Sequence, residues 1–140
     1  MIRVRLETLV MGNMPGASVM VLRPVAGEAQ HDCVLPICIG SVEAAAIGKE
    51  PSARPMTHSL IGTILAQFDG KLTRIVIDKV RGTVFYATLH IKRGMETVKI
   101  DARPSDAVAL AIRLDAPIFV DEAVMASASF PSWVNVRQDQ

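Results

Sequence analysis

Apolar and polar positions alternate at the start of the chain: Val4, Leu6, Thr8 and Val10 fall opposite Arg3, Arg5, Glu7 and Leu9, the period of a half-buried strand. Gly12 to Gly16 reads as a turn, Ala17 to Leu22 as a second strand stopped by Arg23-Pro24, and Cys33 to Ile39 as a third after the turn at Ala26-Gly27-Glu28. Antiparallel hairpins are the simplest connections between them. The period then changes. Gly40-Ser41 caps an Ala-rich helix, Val42 to Lys49, and Pro51 to Pro55 breaks the pattern. Thr57 caps a second helix running to about Phe68, with Leu60, Ile61, Ile64, Leu65 and Phe68 as one apolar stripe. Asp69-Gly70 ends it.

Strands follow over Lys71 to Val80, Thr83 to Lys92 and Glu96 to Ala102, with tight turns at Arg81-Gly82 and Gly94. A third helix, about Asp106 to Leu114, is apolar at every position from Ala107 to Ile112 and is expected to be buried on most sides. Pro117 to Val120 is a last short strand. Periodicity fades after about Ser127, and Asn135 to Gln140 is expected to fray. These readings predict a single α+β domain over residues 1–127, with six or seven mainly antiparallel strands and three short helices, then a tail over 128–140.

Composition adds an excess. The 140 residues are 50% hydrophobic, and the 9 glycines raise the apolar share to about 56%, above the usual 45–50%. Mean hydropathy is +0.32. One small domain does not hide that much apolar surface, so a homodimer is expected. The net charge of +1 and 4% aromatic content argue against a broad electrostatic or stacking grip on nucleic acid, although a local basic patch fits within a balanced total. The opening segment lacks the pattern of a signal peptide, and Arg113, Asp115 and Pro117 interrupt the longest apolar run, so a cytoplasmic protein without membrane partners is expected. Cys33 and Cys38 lie five apart on one strand and point to opposite faces, which predicts two reduced, buried thiols.

Candidate chemistry gathers at two similar places. Arg54-Pro55-Met56-Thr57-His58 and Arg103-Pro104-Ser105-Asp106 each set Arg-Pro ahead of a capping hydroxyl and a helix. Proline keeps the preceding Arg out of the helical region, beside unpaired N–H groups that favour anions. Each is a pocket for phosphate or carboxylate, or else an ordinary cap whose Arg pairs with a nearby acid. Asp101, Arg103 and Asp106 form a compact acid–base–acid group, in which two carboxylates could hold a divalent metal or simply an ion pair. Glu43 stands in the first turn of the first helix, and His58 at the edge of the second helix's stripe. No serine-nucleophile spacing or glycine-rich nucleotide loop is present.

Three segments together resemble the bifunctional nuclease domain family of bacteria: Leu35 to Ile47, Arg54 to Leu60 and Asp101 to Ala111, supported by Thr83 to Leu89 and Ala116 to Val120. The resemblance runs from about residue 2 to about residue 127. It implies a compact α+β fold, a tight dimer, and a nuclease acting on DNA or RNA with Mg²⁺ or Mn²⁺. The family's shared polar positions fall on Glu43, Arg54, Thr57, His58, Tyr86, Asp101, Arg103, Ser105 and Asp106. Among these, His58, Asp101, Asp106 and Glu43 are the expected catalytic residues, with Asp101 and Asp106 the candidate metal ligands. Arg54, Arg103, Thr57, Ser105 and Tyr86 are expected to hold the substrate. Two departures stand out: Ser59 replaces the Asp usual after Thr-His, and the segment from Glu43 to Arg54 is short, so the first helix is expected to lose about a turn. The alternative is a non-catalytic dimeric module that binds an anion or a protein.

Overall fold

The computed structural model describes residues 1–12, 18–28, 32–48 and 53–133. In chain order the elements are β1 (Ile2–Met11), β2 (Ser18–Pro24), β3 (Cys33–Ile39), α1 (Ser41–Ile47), α2 (Thr57–Gln67), β4 (Lys71–Arg81), β5 (Val84–Arg93), β6 (Glu96–Ala102), α3 (Pro104–Leu114), β7 (Ile118–Val120), α4 (Glu122–Ala128) and β8 (Phe130–Pro131). The fold is α+β, as expected, with a single sheet in the order β6-β5-β4-β7-β1-β2-β3-β8. Every pairing is antiparallel except that of β4 with β7.

The hairpins follow the turn chemistry. Gly82 and Gly94 adopt φ of +62° and +61° as the first residue of each two-residue loop, a conformation that costs glycine little. At the end of α2 the left-handed position falls to Asp69, and the Gly70 N–H returns to the Leu65 carbonyl at 2.9 Å. β1 carries a bulge between Leu6 and Thr8. The bulge resets the alternation, so that Leu9 joins the main core while Val10 packs with Val19, Val21 and Val34 on the reverse face.

The main core lies between one sheet face and the helices. Ile2, Leu22, Ile75, Ile77 and Val120 meet Val108, Leu110, Val124 and Met125 there. The third helix is buried over Pro104, Ser105 and Ala107 to Ala111, and turns outward at Ile112.

Four expectations need correction. Among the described residues there are eight strands and four helices, rather than six or seven and three. Asp121 caps α4 by accepting the Ala123 N–H at 2.9 Å, and β8 pairs with the start of β3, so structure extends into the expected tail as far as Pro131. Thr57 and Ser105 are not caps. The caps are Met56 and Arg103, neither with a side-chain cap bond, and each hydroxyl residue lies inside its helix. Cys33 is half-buried against the core but Cys38 is exposed, and both are free thiols.

The apolar stripe of α2 reaches the core only through Leu65: Leu60, Ile64 and Phe68 are 50%, 50% and 71% exposed, and Gly62 is the helix's one buried residue. The helix lies down on its glycine, where a Cβ would stand 2.8 Å from Leu114 Cδ2. That contact turns the larger apolar side chains away from the sheet. The Gly12–Gly16 turn lies largely outside the described residues, as do positions 51–52 of the Pro51–Pro55 break and the expected fraying of 135–140.

Candidate functional site at the start of the third helix

Pro104 fixes the backbone around α3's first turn. Arg103 before it is extended, with φ −69° and ψ 146°, and serves as N-cap. Its guanidinium therefore stands beside the helix start and can turn back along it. Nε donates to Asp106 Oδ2 at 2.9 Å and Nη2 to Asp106 Oδ1 at 3.2 Å, the two-pronged grip that a planar guanidinium makes on a carboxylate. Nη1 reaches Glu43 Oε2 at 3.4 Å. Three bonds leave two of the five guanidinium N–H groups outside this network, and the side chain is 64% exposed.

α2 supplies the other half. His58 Nε2 lies 2.9 Å from Asp106 Oδ1. The imidazole is only 15% exposed, so Asp106 joins a sheltered His to an exposed Arg. Burial alone would raise the Asp106 pKa, but the hydrogen bonds from Arg103 and His58 outweigh it and hold the carboxyl below its ordinary 3.8. Glu43 comes from α1, whose N-cap is Gly40. The Glu43 carboxylate folds back over that residue, where any Cβ would overlap Oε1.

His58, Thr57, Arg103, Asp106 and Asp101 border a cleft of about 740 Å³ between α2, α3 and the β6 edge. Most of its wall is apolar, including Ile61, Leu65, Leu89 and Leu110. Glu43, Ser105 and Arg103 border a second, smaller hollow of about 310 Å³ by Ile39 and Thr83. Arg103 thus stands between the two.

Four expected residues, His58, Asp106, Arg103 and Glu43, form one connected cluster. Asp101 belongs to the β6 edge of the cleft, but its register opposite Thr88 turns its side chain to the other sheet face, and Arg103 bonds to Asp106 and Glu43, so the expected acid–base–acid group reduces to the Arg103–Asp106 pair. Thr57 is at the cleft mouth, and Ser105 is buried inside α3. Arg54 lies exposed ahead of α2, outside the walls of both hollows. Tyr86 is not at the site. It alternates with core-facing Phe85 and Ala87 and so points to the other sheet face, where Lys79 Nζ lies 4.7 Å from its ring centre. Arg113, which the sequence reading passed over, lines the cleft. Its Nη2 donates to the Gly48 carbonyl at 3.5 Å, while its buried Nε has no hydrogen-bond partner. A single arginine in the last turn of an otherwise apolar helix was the available signal.

Among the described residues, no three of His, Cys, Asp and Glu stand together in a way that could hold a metal ion. None of the described helices is long and apolar enough to cross a membrane.

Residues 20–132 match the model of the bifunctional nuclease domain. The chain is also 47% identical over 107 residues to uncharacterized protein Rv1829 of Mycobacterium tuberculosis strain H37Rv, and equally to uncharacterized protein MT1877 of strain CDC 1551. Each alignment covers 72% of this chain but 62% of the relative, so the chain spans about three fifths of the curated relatives it matches. A family match over most of the fold, including the strand-to-helix corner that holds Arg103 and Asp106, places this chain in the bifunctional nuclease domain family.

Proposed function

We propose that the chain is a nuclease that cleaves phosphodiester bonds of DNA or RNA at the His58–Asp106–Arg103 cluster. The observation that carries the reading is the single carboxylate of Asp106, shared between an imidazole at 2.9 Å and a bidentate guanidinium at the mouth of a cleft. With Nε2–H donating to Asp106, a tautomer assigned from that bond, the His58 lone pair lies on Nδ1. Nδ1 takes the proton from the attacking water or ribose hydroxyl, Asp106 stabilises the imidazolium that results, and as the scissile P–O bond breaks the departing ribose oxygen takes a proton from solvent water. The two remaining N–H groups of Arg103 bind a phosphate oxygen and offset charge that builds up during attack. Glu43 positions Arg103.

The donor set does not fit a resident Mg²⁺ or Mn²⁺. Both oxygens of Asp106 and one of Glu43 are engaged with Arg103 or His58, Ser59 offers no carboxylate beside His58, and Asp101 is not joined with a second free acid. The steps above therefore run through side chains alone.

Purified protein given labelled single-stranded DNA and RNA, with EDTA or with Mg²⁺, tests the reading. Cleavage that falls by about 10²–10⁴ in His58→Ala supports it. Cleavage unchanged in both His58→Ala and Asp106→Ala removes this site. No cleavage in any arm leaves the alternative, a dimeric binding module.

We also propose a homodimer through α2, because the ridge of Leu60, Ile64 and Phe68 is apolar, regular and exposed. Sedimentation equilibrium should give a dimer at micromolar concentration for the parent chain and a monomer for Leu60→Lys/Phe68→Lys.

A further inference from the structure

The sheet has a second face. The buried residues of α1, α3 and α4, with Leu65 of α2, pack into the core on the face of Ile75, Ile77, Ala87 and Leu89. Among the described residues no helix covers the reverse of β4, β5 and β6.

That reverse side reads as rows across the strands. Lys99 pairs with His90, and His90 with Arg74. In the next row Lys92 stands opposite Lys71. On the other flank lie Thr88, Val76 and Phe119, continued by Arg3 of β1, and beyond them Tyr86 with Lys79. Six lysines and arginines thus face two carboxylates, Asp78 and Asp101, and Asp78 already accepts the Thr88 hydroxyl at 2.6 Å. Like charges directly opposite on a sheet destabilise it, yet Lys71 and Lys92, and the row through His90, are such neighbours. The field is legible in His90, whose pKa is held below the ordinary 6.5 first by burial and then by Arg74 and Lys99, against a small opposing effect of Asp78. A chain of net charge +1 has gathered a positive surplus on one uncovered surface.

Two of its rare aromatic rings, Tyr86 and Phe119, sit half-buried on that same surface. Cations with interleaved rings on an open sheet suit a polyanion with unpaired bases: phosphates meet the cations, and bases stack on the rings. A paired duplex offers no free base faces to such rings.

We infer that the uncovered face of β4, β5 and β6 holds a single-stranded nucleic acid, with Arg74, Lys92 and Lys99 on its phosphates and Tyr86 and Phe119 against its bases. The inference rests on the nuclease reading for the class of polymer, but it places the holding surface outside the cleft, on the opposite side of the sheet.

The test is fluorescence anisotropy with labelled oligo(dT) and oligo(rU), read in the parent chain and in His58→Ala, so that binding is measured apart from cleavage. The two probes separate DNA from RNA as the source of the strand. Each phosphate neutralised on a single strand contributes about −0.7 to the slope of log affinity against log salt, so these three contacts predict a roughly twenty-fold loss between 50 and 200 mM. Arg74→Gln/Lys99→Gln should flatten that slope by about 1.4, and Arg74→Glu/Lys99→Glu should abolish binding. His58→Ala should bind like the parent chain whether or not the parent cleaves, so failure of the nuclease reading is told apart from failure of this one. Binding insensitive to salt, or unchanged in a Gln variant whose unfolding midpoint shows it folded, overturns the inference. So does a Gln variant that alters the protein's own sedimentation, since a second copy would then occupy the face.

Discussion

Asp106→Asn replaces one carboxylate oxygen by an NH₂ group and removes the charge on which the cluster depends. Asp106 accepts from Arg103 Nε at 2.9 Å, Arg103 Nη2 at 3.2 Å and His58 Nε2 at 2.9 Å. An asparagine has one acceptor oxygen, and its amide N–H₂ must face one of those donors, so at least one bond becomes a donor–donor clash. A hydrogen bond to a charged group contributes about 1.5–3 kcal/mol and a neutral one about 0.5–1.5. The Arg103 share is discounted because that side chain is 64% exposed, and such pairs give about 0–1 kcal/mol. The His58 share is not, because an unsatisfied half-buried donor costs about 1–3 kcal/mol. Asp106→Asn should therefore cost roughly 1–3 kcal/mol, or about 3–10 °C in Tm for a domain of this size.

The pH dependence follows from linkage. The Asp106 pKa is lowered in the folded state, so its contribution is complete above the unfolded value near 3.8 and is lost as pH falls through the lower folded value. Urea unfolding followed by circular dichroism at steps from pH 7 to pH 3 reads both quantities. The gap between parent and variant should be constant down to about pH 5 and close below it. Equal stability at pH 7, or a gap that persists unchanged to pH 3, would refute the reasoning.

Two further outcomes are expected. Gly62→Val drives side-chain atoms into Leu114, where even a Cβ stands 2.8 Å from Cδ2, and should lower the unfolding free energy by about 1–3 kcal/mol in urea melts. His90 should titrate by NMR below 6.5 and move upward in Lys99→Gln. Because its folded pKa is lowered, its neutral form favours the native state above pH 6.5, and stability drains away as pH falls from there toward the folded value, less so in His90→Gln.

The parts of this fold that were legible in the sequence are those with a strict period or an obligatory turn. β3 and β6 fall on the predicted residues, and Gly82 and Gly94 mark the β4–β5 and β5–β6 turns. α4 was missed although Asp121 is a good N-cap residue, because Glu122 to Ala128 buries only two side chains, Val124 and Met125. The α2 stripe was legible as a helix but not as an outward face, since amphipathicity records that a side is apolar and not what covers it; the discriminating residue was Gly62. At the site, the Arg-Pro pattern found Arg103 and Asp106, because proline and an i,i+3 spacing are local constraints. It could not place His58 against Asp106, 48 residues away, nor send Tyr86 to the other side of the sheet.

The three residues of β7 have a consequence for how the chain comes together in time. β1 and β4 do not touch as strands; the sheet is continuous only because Ile118, Phe119 and Val120 fit between them. During N-to-C synthesis the two meanders, β1 to β3 and β4 to β6, complete their hairpins from near neighbours. They remain separate sheets, each with an open edge, until residues close to the end of the described chain emerge. Pairing Ile2 with Val120 closes a loop through most of the described residues, so this step falls late, and the two halves join only after β7 has been made.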